Sequence, residues 1–207
     1  MKKRFMRLAA AFLAICLAIP SAGAATTNSN GEIMIRVGLA SSNKHVPTGE
    51  LEAAHLENSD GYGAGYRFGY YDGSLNFVEL GRTGADVTKV AVLKTMNPSY
   101  GYSSTLEKNT YSSDISSKIQ VGCYHIKMLG SFSSYEAAAQ QAANYANGFV
   151  AWIDGAYQVR AGAYFTREEA EAAMAGLASA EKIVGTSAYG VSVVATGTDQ
   201  VLFQYDE

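Results

Sequence analysis

The residue types that most often perform catalysis do not form a recognisable set in this chain of 207 residues. His45, His55 and His125 have neither the H-x-x-x-H nor the H-E-x-x-H spacing that brings two metal ligands to one helix face. Cys123 lies two residues before His125, but no third group is placed to orient that imidazole as a base. We therefore expect no enzyme, no metal site and no cofactor, and we expect the function to be one of binding.

Adjacent carboxylates are the other candidate for chemistry. Glu168 and Glu169 stand side by side, but they come at the start of a predicted helix, where capping and the helix dipole account for acidic residues. A glycosidase requires two carboxylates that face each other across a cleft. No such pair can be nominated from this sequence.

A short pattern occurs twice in the second half of the chain. The first copy begins at Gly130 and reads GSFSSYEAA, and the second begins 32 residues later at Gly162 and reads GAYFTREEA. Each copy follows a β-rich run and precedes an alanine-rich segment. A repeated strand–turn–helix unit of this size predicts two βα halves packed as one small domain.

Two helices are predicted to begin within these copies. Ser133-x-x-Glu136 and Thr166-x-x-Glu169 both have the form of a capping box, in which a hydroxyl and a carboxylate satisfy free backbone N–H groups. The helices are expected to extend to about residues 147 and 179.

Four strands complete the unit, which we place at residues 121–187. They are predicted at 122–128, 149–153, 156–162 and 182–186, with a tight turn at Asp154-Gly155 between the middle two. The order is β-α-β-β-α-β, in which both helices cover one face of a four-stranded antiparallel sheet and leave the other face open. The predicted fold class is α+β, with a β-rich flanking domain.

The beginning of the chain has the features of a secretory signal peptide at residues 1–24. A basic start precedes twelve apolar residues from Leu8 to Ile19, and an Ala-Gly-Ala cleavage site follows at 22–24. Twelve residues are too few for a helix that crosses a membrane. The mature chain is therefore expected to be secreted and to have no integral membrane segment.

Three further regions are predicted around the repeat. Residues 25–96 form a β-rich N-terminal domain, with strands near 33–40, 66–71, 75–80 and 87–94 and a two-residue hairpin turn at Asp72-Gly73. Residues 97–120 are rich in Ser, Tyr and Thr without hydrophobic periodicity, which predicts a linker or long loop. Residues 188–207 form a β-hairpin that is expected to pair with the N-terminal domain, because an isolated hairpin is only marginally stable.

The charge balance limits the choice of partner. The whole chain has 16 basic and 19 acidic residues, and removal of the signal peptide takes four of the cations. An acidic protein lacks the basic surface that nucleic acid requires, so no nucleic-acid partner is expected. A neutral or cationic partner fits this charge better.

The segment from Tyr124 to Thr186 resembles the SPOR domain, a peptidoglycan-binding module of bacterial envelope proteins. The residues that carry the resemblance are Tyr124-His125-Ile126-Lys127-Met128, Gly130-Ser131-Phe132, Glu136-Ala137-Ala138, Tyr157-Gln158-Val159-Arg160-Ala161-Gly162 and Glu168-Glu169-Ala170. The resemblance implies binding of peptidoglycan glycan strands that have lost their stem peptides, across the open face of the sheet. It also implies a location in the cell wall or cell envelope.

The flanking segments resemble the N-terminal part of SpoIID-type sporulation proteins. Ile35-Arg36-Val37-Gly38-Leu39 and Val201-Leu202-Phe203 carry this second likeness. Two alternatives to a glycan-binding protein therefore stay open. The chain is the N-terminal targeting part of a SpoIID-type lytic transglycosylase, or it is a structural protein of the spore or envelope.

Strand parity identifies the residues of the open face. The turn at Asp154-Gly155 sets Ile153 opposite Ala156, which places Trp152 and Tyr157 on the helix-covered face. The other face then has the longer polar side chains together with flat apolar groups, as sugar rings require. The side chains predicted to contact glycan are Lys127, Ser131, Phe149, Ile153, Gln158 and Arg160.

Overall fold

The computed structural model of the chain describes residues 26–27, 33–34, 52–58, 65–94, 97–186 and 190–206. The predicted signal peptide and most of the strand predicted at 33–40 lie outside these ranges. The chain divides into two compact units, of which the smaller consists of Met1–Val37 and Tyr71–Asn76 and the larger of Gly38–Tyr70 and Phe77–Glu207.

Two features of the smaller unit are described. Strand β1 (Thr26–Thr27) pairs antiparallel with β2 (Ile33–Met34). The Asp72 carboxylate accepts the backbone N–H groups of Ser74 and Asn76 at 2.8 and 2.9 Å, as in an Asx turn. The two-residue turn predicted at Asp72-Gly73 is therefore wrong, because this turn extends to Asn76.

The remaining strands are β3 (Ala53–Glu57), β4 (Arg67–Tyr71), β5 (Phe77–Arg82), β6 (Lys89–Leu93), β7 (Ser99–Ser103), β8 (Lys108–Ser112), β9 (Tyr124–Met128), β10 (Gly148–Ile153), β11 (Ala156–Tyr164), β12 (Ala180–Gly185), β13 (Val191–Ala195) and β14 (Val201–Asp206). Eight of them form one sheet in the order β12-β9-β11-β10-β14-β13-β6-β3, while β4–β5 and β7–β8 are two-stranded. All neighbours in the large sheet are antiparallel except β10 and β14, which are parallel.

This architecture confirms the α+β class. It differs from the expected four-stranded sheet, since β9 to β12 continue through β14 into the strands of the flanking segments. The tail hairpin β13–β14 joins the two parts, because β14 pairs with β10 on one side and β13 pairs with β6 on the other. The tail therefore lies beside a strand of the predicted N-terminal domain.

The sequence repeat is also a repeat of backbone conformation. Helices α1 (Tyr135–Ala142) and α2 (Arg167–Met174) each have eight residues and are offset by the same 32 residues as the two sequence copies. Both repeat glycines have positive φ, 118° at Gly130 and 70° at Gly162. Positive φ recurs after each helix as well, at Asn147 and Ser179. Both helices end earlier than predicted. Irregular residues lead from the end of each helix to the residue with positive φ.

The two helix starts differ in one respect. Thr166 caps α2 in a complete capping box with Glu169, as predicted. The cap of α1 is Ser134, whose Oγ accepts the N–H of Ala137, and not Ser133. Ser134 is the residue equivalent to Thr166, but alanine occupies the position equivalent to Glu169, so the first box is incomplete.

The large sheet has a core on each face. On the helix side, Ile126, Val150, Val159 and Phe203 pack with the small residues Ala138 and Ala142 of α1, while Ala173 and Met174 of α2 border the same core. We call this the helix-side core. The opposite, hairpin-side core contains Phe149, Ala151, Tyr111, Val121 and Val194.

The β7–β8 hairpin covers part of the sheet face predicted to be open. Tyr111 of β8 is 1% exposed, and its hydroxyl accepts the N–H of Gly197 at 2.9 Å and donates to the carbonyl of Thr198 at 2.7 Å. Tyr100 of β7 borders the same hairpin-side core. The prediction of a linker at 97–120 is therefore wrong for this segment, which is a packed structural element.

Candidate functional site

Strand register places the five predicted glycan contacts that lie in strands as strand parity expected. Ile153 pairs with Ala156, Trp152 with Tyr157 and Phe149 with Arg160. Lys127 of β9 pairs with Arg160 from the other side. These residues of β9, β10 and β11 therefore share one face of the sheet, as predicted. The exposure of their side chains differs from the prediction.

Two of the six predicted contacts are buried. Phe149 is 3% exposed and lies edge-on against the His125 ring, with ring centroids 5.2 Å apart. Arg160 is 4% exposed. Neither side chain has the surface that contact with a sugar ring requires, so the prediction of an open face is wrong at these two positions. The cause is the hairpin-side core, which covers this part of the sheet.

The other four predicted contacts remain accessible at one end of the same face. Ser131 is exposed in the loop after β9, and Ile153 and Gln158 are half-buried near the Asp154-Gly155 turn. Lys127 forms an ion pair with Glu181 of β12, with Nζ 2.7 Å from Oε2. We call Lys127, Ser131, Ile153 and Gln158 the sheet rim.

A buried polar network lies next to the rim and was not predicted. Arg160 donates through Nη1 to Oε1 of Gln204 and through Nη2 to Oε1 of Gln158. Gln204, which is 0% exposed, donates in turn to the hydroxyls of Thr186 at 2.7 Å and Ser192 at 3.2 Å. These bonds satisfy polar groups that are costly to bury alone. One feature of the sequence points to this network: Gln204 lies between Phe203 and Tyr205 in a strand that is otherwise rich in apolar residues.

His125 is part of this network. Its Nδ1 lies 2.7 Å from the carbonyl oxygen of Gly162, and its Nε2 lies 3.0 Å from Oγ1 of Thr186. A carbonyl only accepts, so Nδ1 donates. Nε2 lies 3.2 Å from the amide nitrogen of Gln204, which only donates, so Nε2 accepts and the ring is neutral. Burial, with a further contribution from the Arg160 charge, lowers the pKa of His125 to about 4, although the Gly162 carbonyl opposes this.

The Arg160 guanidinium is the charged group of this network. Burial lowers its pKa to about 10, against the effect of Asp206, which raises it. Its Nε is buried without a hydrogen-bond partner among the described residues. No carboxylate in the described part of the chain forms an ion pair with it. Its two amide contacts therefore make Arg160 an internal support for the sheet rather than a ligand-binding group.

The structure also contains a cleft of about 450 Å³ beside the β7–β8 hairpin, where the sequence predicted a linker. Two apolar side chains on its lining are strongly exposed, Tyr102 at 64% and Leu106 at 55%. The rest of the lining consists mainly of hydroxyl and carboxylate groups, from Glu52, Ser103, Ser104, Thr105, Thr110, Ser112 and Asp114. We call this the hydroxyl cleft.

A second cavity, of about 310 Å³, has a different chemical character. Its lining includes His55, Lys89, Tyr100 and Lys108. The His55 ring is hydrogen-bonded to the Thr110 hydroxyl at 3.0 Å, and burial followed by the Lys108 charge lowers its pKa. Lys89 pairs with Glu57 at 2.7 Å.

The described residues offer no metal centre and no membrane-spanning helix. Within those ranges, no three His, Cys, Asp or Glu side chains are arranged to hold a metal ion. Neither α1 nor α2 has the length and hydropathy to cross a membrane. Cys123 is buried, which raises the pKa of its thiol and so disfavours the reactive thiolate.

Comparison of the chain with protein-family models, with characterised proteins and with solved structures found no match.

Proposed function

We propose that this chain is an exported peptidoglycan-binding protein whose SPOR-like segment, residues 121–187, binds glycan strands that are poor in stem peptides. The observation that carries the proposal is the twofold repeat within β9-α1-β10-β11-α2-β12. Its glycines, helix caps and helix ends recur at one offset of 32 residues, from Gly130 to Gly162 and from Ser134 to Thr166.

The sheet rim is the surface through which this segment would contact glycan. Gln158 uses its Oε1 to accept from Arg160 at 3.3 Å, which leaves its amide nitrogen as a planar donor for a sugar hydroxyl or an N-acetyl carbonyl. Ile153 supplies a half-buried apolar group beside it. Lys127, held by Glu181, adds a donor whose position is fixed.

The charge of the chain supports the preference for strands poor in stem peptides. Acidic residues outnumber basic residues by 19 to 16 in the whole sequence. Stem peptides add carboxylates to peptidoglycan, and like charges at an interface oppose binding. A glycan strand without them presents hydroxyl and acetamido groups and one lactyl carboxylate on each muramic acid ring, so it has fewer carboxylates per disaccharide.

Co-sedimentation with purified sacculi tests the proposal. We expect the wild-type chain to sediment, and the double variant Lys127→Ala/Gln158→Ala to bind about tenfold more weakly or worse, as for truncation of central interface contacts. Gln158 accepts a hydrogen bond of 3.3 Å from buried Arg160, so the free energy of unfolding of the double variant is measured in urea beside its binding, and a folded variant with weakened binding is the expected result. Arg160 is unsuitable for this test, since removing a buried guanidinium changes the network around it.

The matched control is Arg167→Ala on α2. Arg167 is exposed, pairs with Glu171 at 3.0 Å and belongs to a helix on the opposite face of the sheet. We expect this variant to bind sacculi as the wild type does. A wild-type chain that stays in the supernatant would contradict the proposed function, whereas equal binding by the rim variant would exclude only the rim.

A further inference from the structure

We infer that the hydroxyl cleft is a second carbohydrate site, which takes a hexosamine ring without a carboxylate. This inference rests on the proposed function, since it names a unit of the same glycan. It concerns a different surface, formed by the β7–β8 hairpin, by residues 114–115 and by the start of β3.

The size and lining of the cleft fit a small ligand. A volume of about 450 Å³ lies within the range of about 300–1,000 Å³ that is usual for ligand pockets. Tyr102 and Leu106 are two of the five large apolar side chains that stay strongly exposed in the described residues. An aromatic ring with one free face provides the flat apolar surface that the C–H groups of a pyranose ring can cover.

The polar lining matches a ligand that is rich in hydroxyl groups. Ser and Thr hydroxyls both donate and accept, as sugar hydroxyls do, so either partner can complete the other's hydrogen bonds. Carboxylates accept from sugar hydroxyls in the stronger, charge-assisted form. The Glu52 carboxylate is held in position, because it accepts from the backbone N–H of Ser113 at 3.0 Å and from the Ser113 hydroxyl.

The charge of the cleft selects among the rings of a peptidoglycan strand. Its described lining includes the carboxylates of Glu52 and Asp114 but no Lys, Arg or His. Asp114 receives no hydrogen bond at its carboxylate from the described residues, so its oxygens remain acceptors. A muramic acid ring, which has a lactyl carboxylate, would be repelled, whereas N-acetylglucosamine is neutral and its de-acetylated form is cationic.

Titration of the full chain with defined oligosaccharides tests this inference. The probes are chitotetraose, which contains only N-acetylglucosamine, and its fully de-acetylated counterpart. We expect Tyr102→Ala to weaken the binding of both at least about tenfold, because the stacking surface is lost. Asp114→Asn should weaken the de-acetylated probe more than the acetylated one, because only the former has a cation to lose its partner.

Tyr70→Ala is the matched control, since Tyr70 is 51% exposed and does not line the cleft. This variant should bind both probes as the wild type does. If Tyr102→Ala weakens the binding of only one probe, that probe identifies the form of the sugar that the cleft takes. Weaker binding of either probe by Tyr102→Ala supports the inference.

The outcomes separate this inference from the proposed function. If sacculi are bound but Tyr102→Ala and wild type bind the probes equally, or the wild type binds neither probe, the cleft is excluded and the proposed function stands. If the probes bind in the cleft but sacculi do not sediment the chain, the cleft is supported and the proposed function fails. If neither sacculi nor probes bind, both are overturned.

Discussion

His125 should make the protein less stable in mild acid. Its ring is 0% exposed, donates to the Gly162 carbonyl and lies within the network that contains Arg160 and Gln204. Protonation would place a second cation beside Arg160 and convert Nε2 from an acceptor into a donor. Burial, the largest cause, and the Arg160 charge therefore lower the pKa of His125 from 6.5 to about 4.

The lowered pKa of His125 determines how the stability of the protein changes with pH. The unfolded chain protonates His125 below about pH 6.5, whereas the folded chain resists protonation until about pH 4. The unfolded state therefore binds more protons between these values, and stability falls as the pH falls through this window. The full difference corresponds to about 3 kcal/mol, and about 2 kcal/mol of it is lost between about pH 7 and about pH 4.5.

Urea denaturation of wild type and His125→Gln at both pH values measures this contribution. Carboxylates titrate in both proteins, so the quantity of interest is the difference between their pH dependences. The wild type should lose about 2 kcal/mol more than the variant on acidification. His55→Gln serves as a control, because His55 is only partly buried and its removal should change the pH dependence less.

Equal pH dependence in wild type and His125→Gln would refute this reasoning. An NMR titration of the imidazole gives an independent check, since the His125 signals should stay in the neutral position until well below pH 6. A midpoint near the ordinary histidine value would mean that the ring is hydrated or that the network around it is open.

Two further predictions concern the repeat. Gly155 and Gly162 both have positive φ, but an added Cβ meets nothing within 4 Å at Gly155 and lies 2.3 Å from the Tyr164 ring at Gly162. Gly155→Ala should therefore cost about 1–2 kcal/mol of unfolding free energy and Gly162→Ala clearly more, and equal losses in urea denaturation would contradict this. Ser134→Ala should lower the free energy of unfolding by about 1 kcal/mol, whereas Ser133→Ala should change it by less than about 0.5 kcal/mol. A larger loss for Ser133→Ala would mean that Ser133 caps α1.

The parts of the fold that local chemistry decides were predictable. The glycine pair Gly130 and Gly162 marks two turns with positive φ, and the turn at Asp154-Gly155 fixes the register of β10 and β11. Parity then follows along both strands, because side chains alternate. These features depend on neighbours within a few residues, so a single sequence contains the information.

The cover over the predicted open face was not predictable in the same way. The segment that supplies it, with Tyr100, Tyr111 and Val121, has Ser, Thr and Gly between its few apolar residues. Apolar and polar residues do not alternate in it as in a half-buried strand: Tyr100 borders the core, whereas Tyr102, two residues further on, is 64% exposed. The exposure of Phe149 and Arg160 depended on this distant segment, and so did the hydroxyl cleft.

The parallel contact between β10 and β14 has a consequence for the order of folding. Val150 pairs with Phe203, so β14 fills the position between the repeat and the strands β13, β6 and β3. Without it, β10 would present an unpaired edge with Phe149 and Val150, a template for pairing with other chains. During synthesis the repeat emerges before β14 does, so this edge stays open until β14 follows. The slow, non-local step that closes the sheet is therefore the stage at which the chain is most exposed to aggregation.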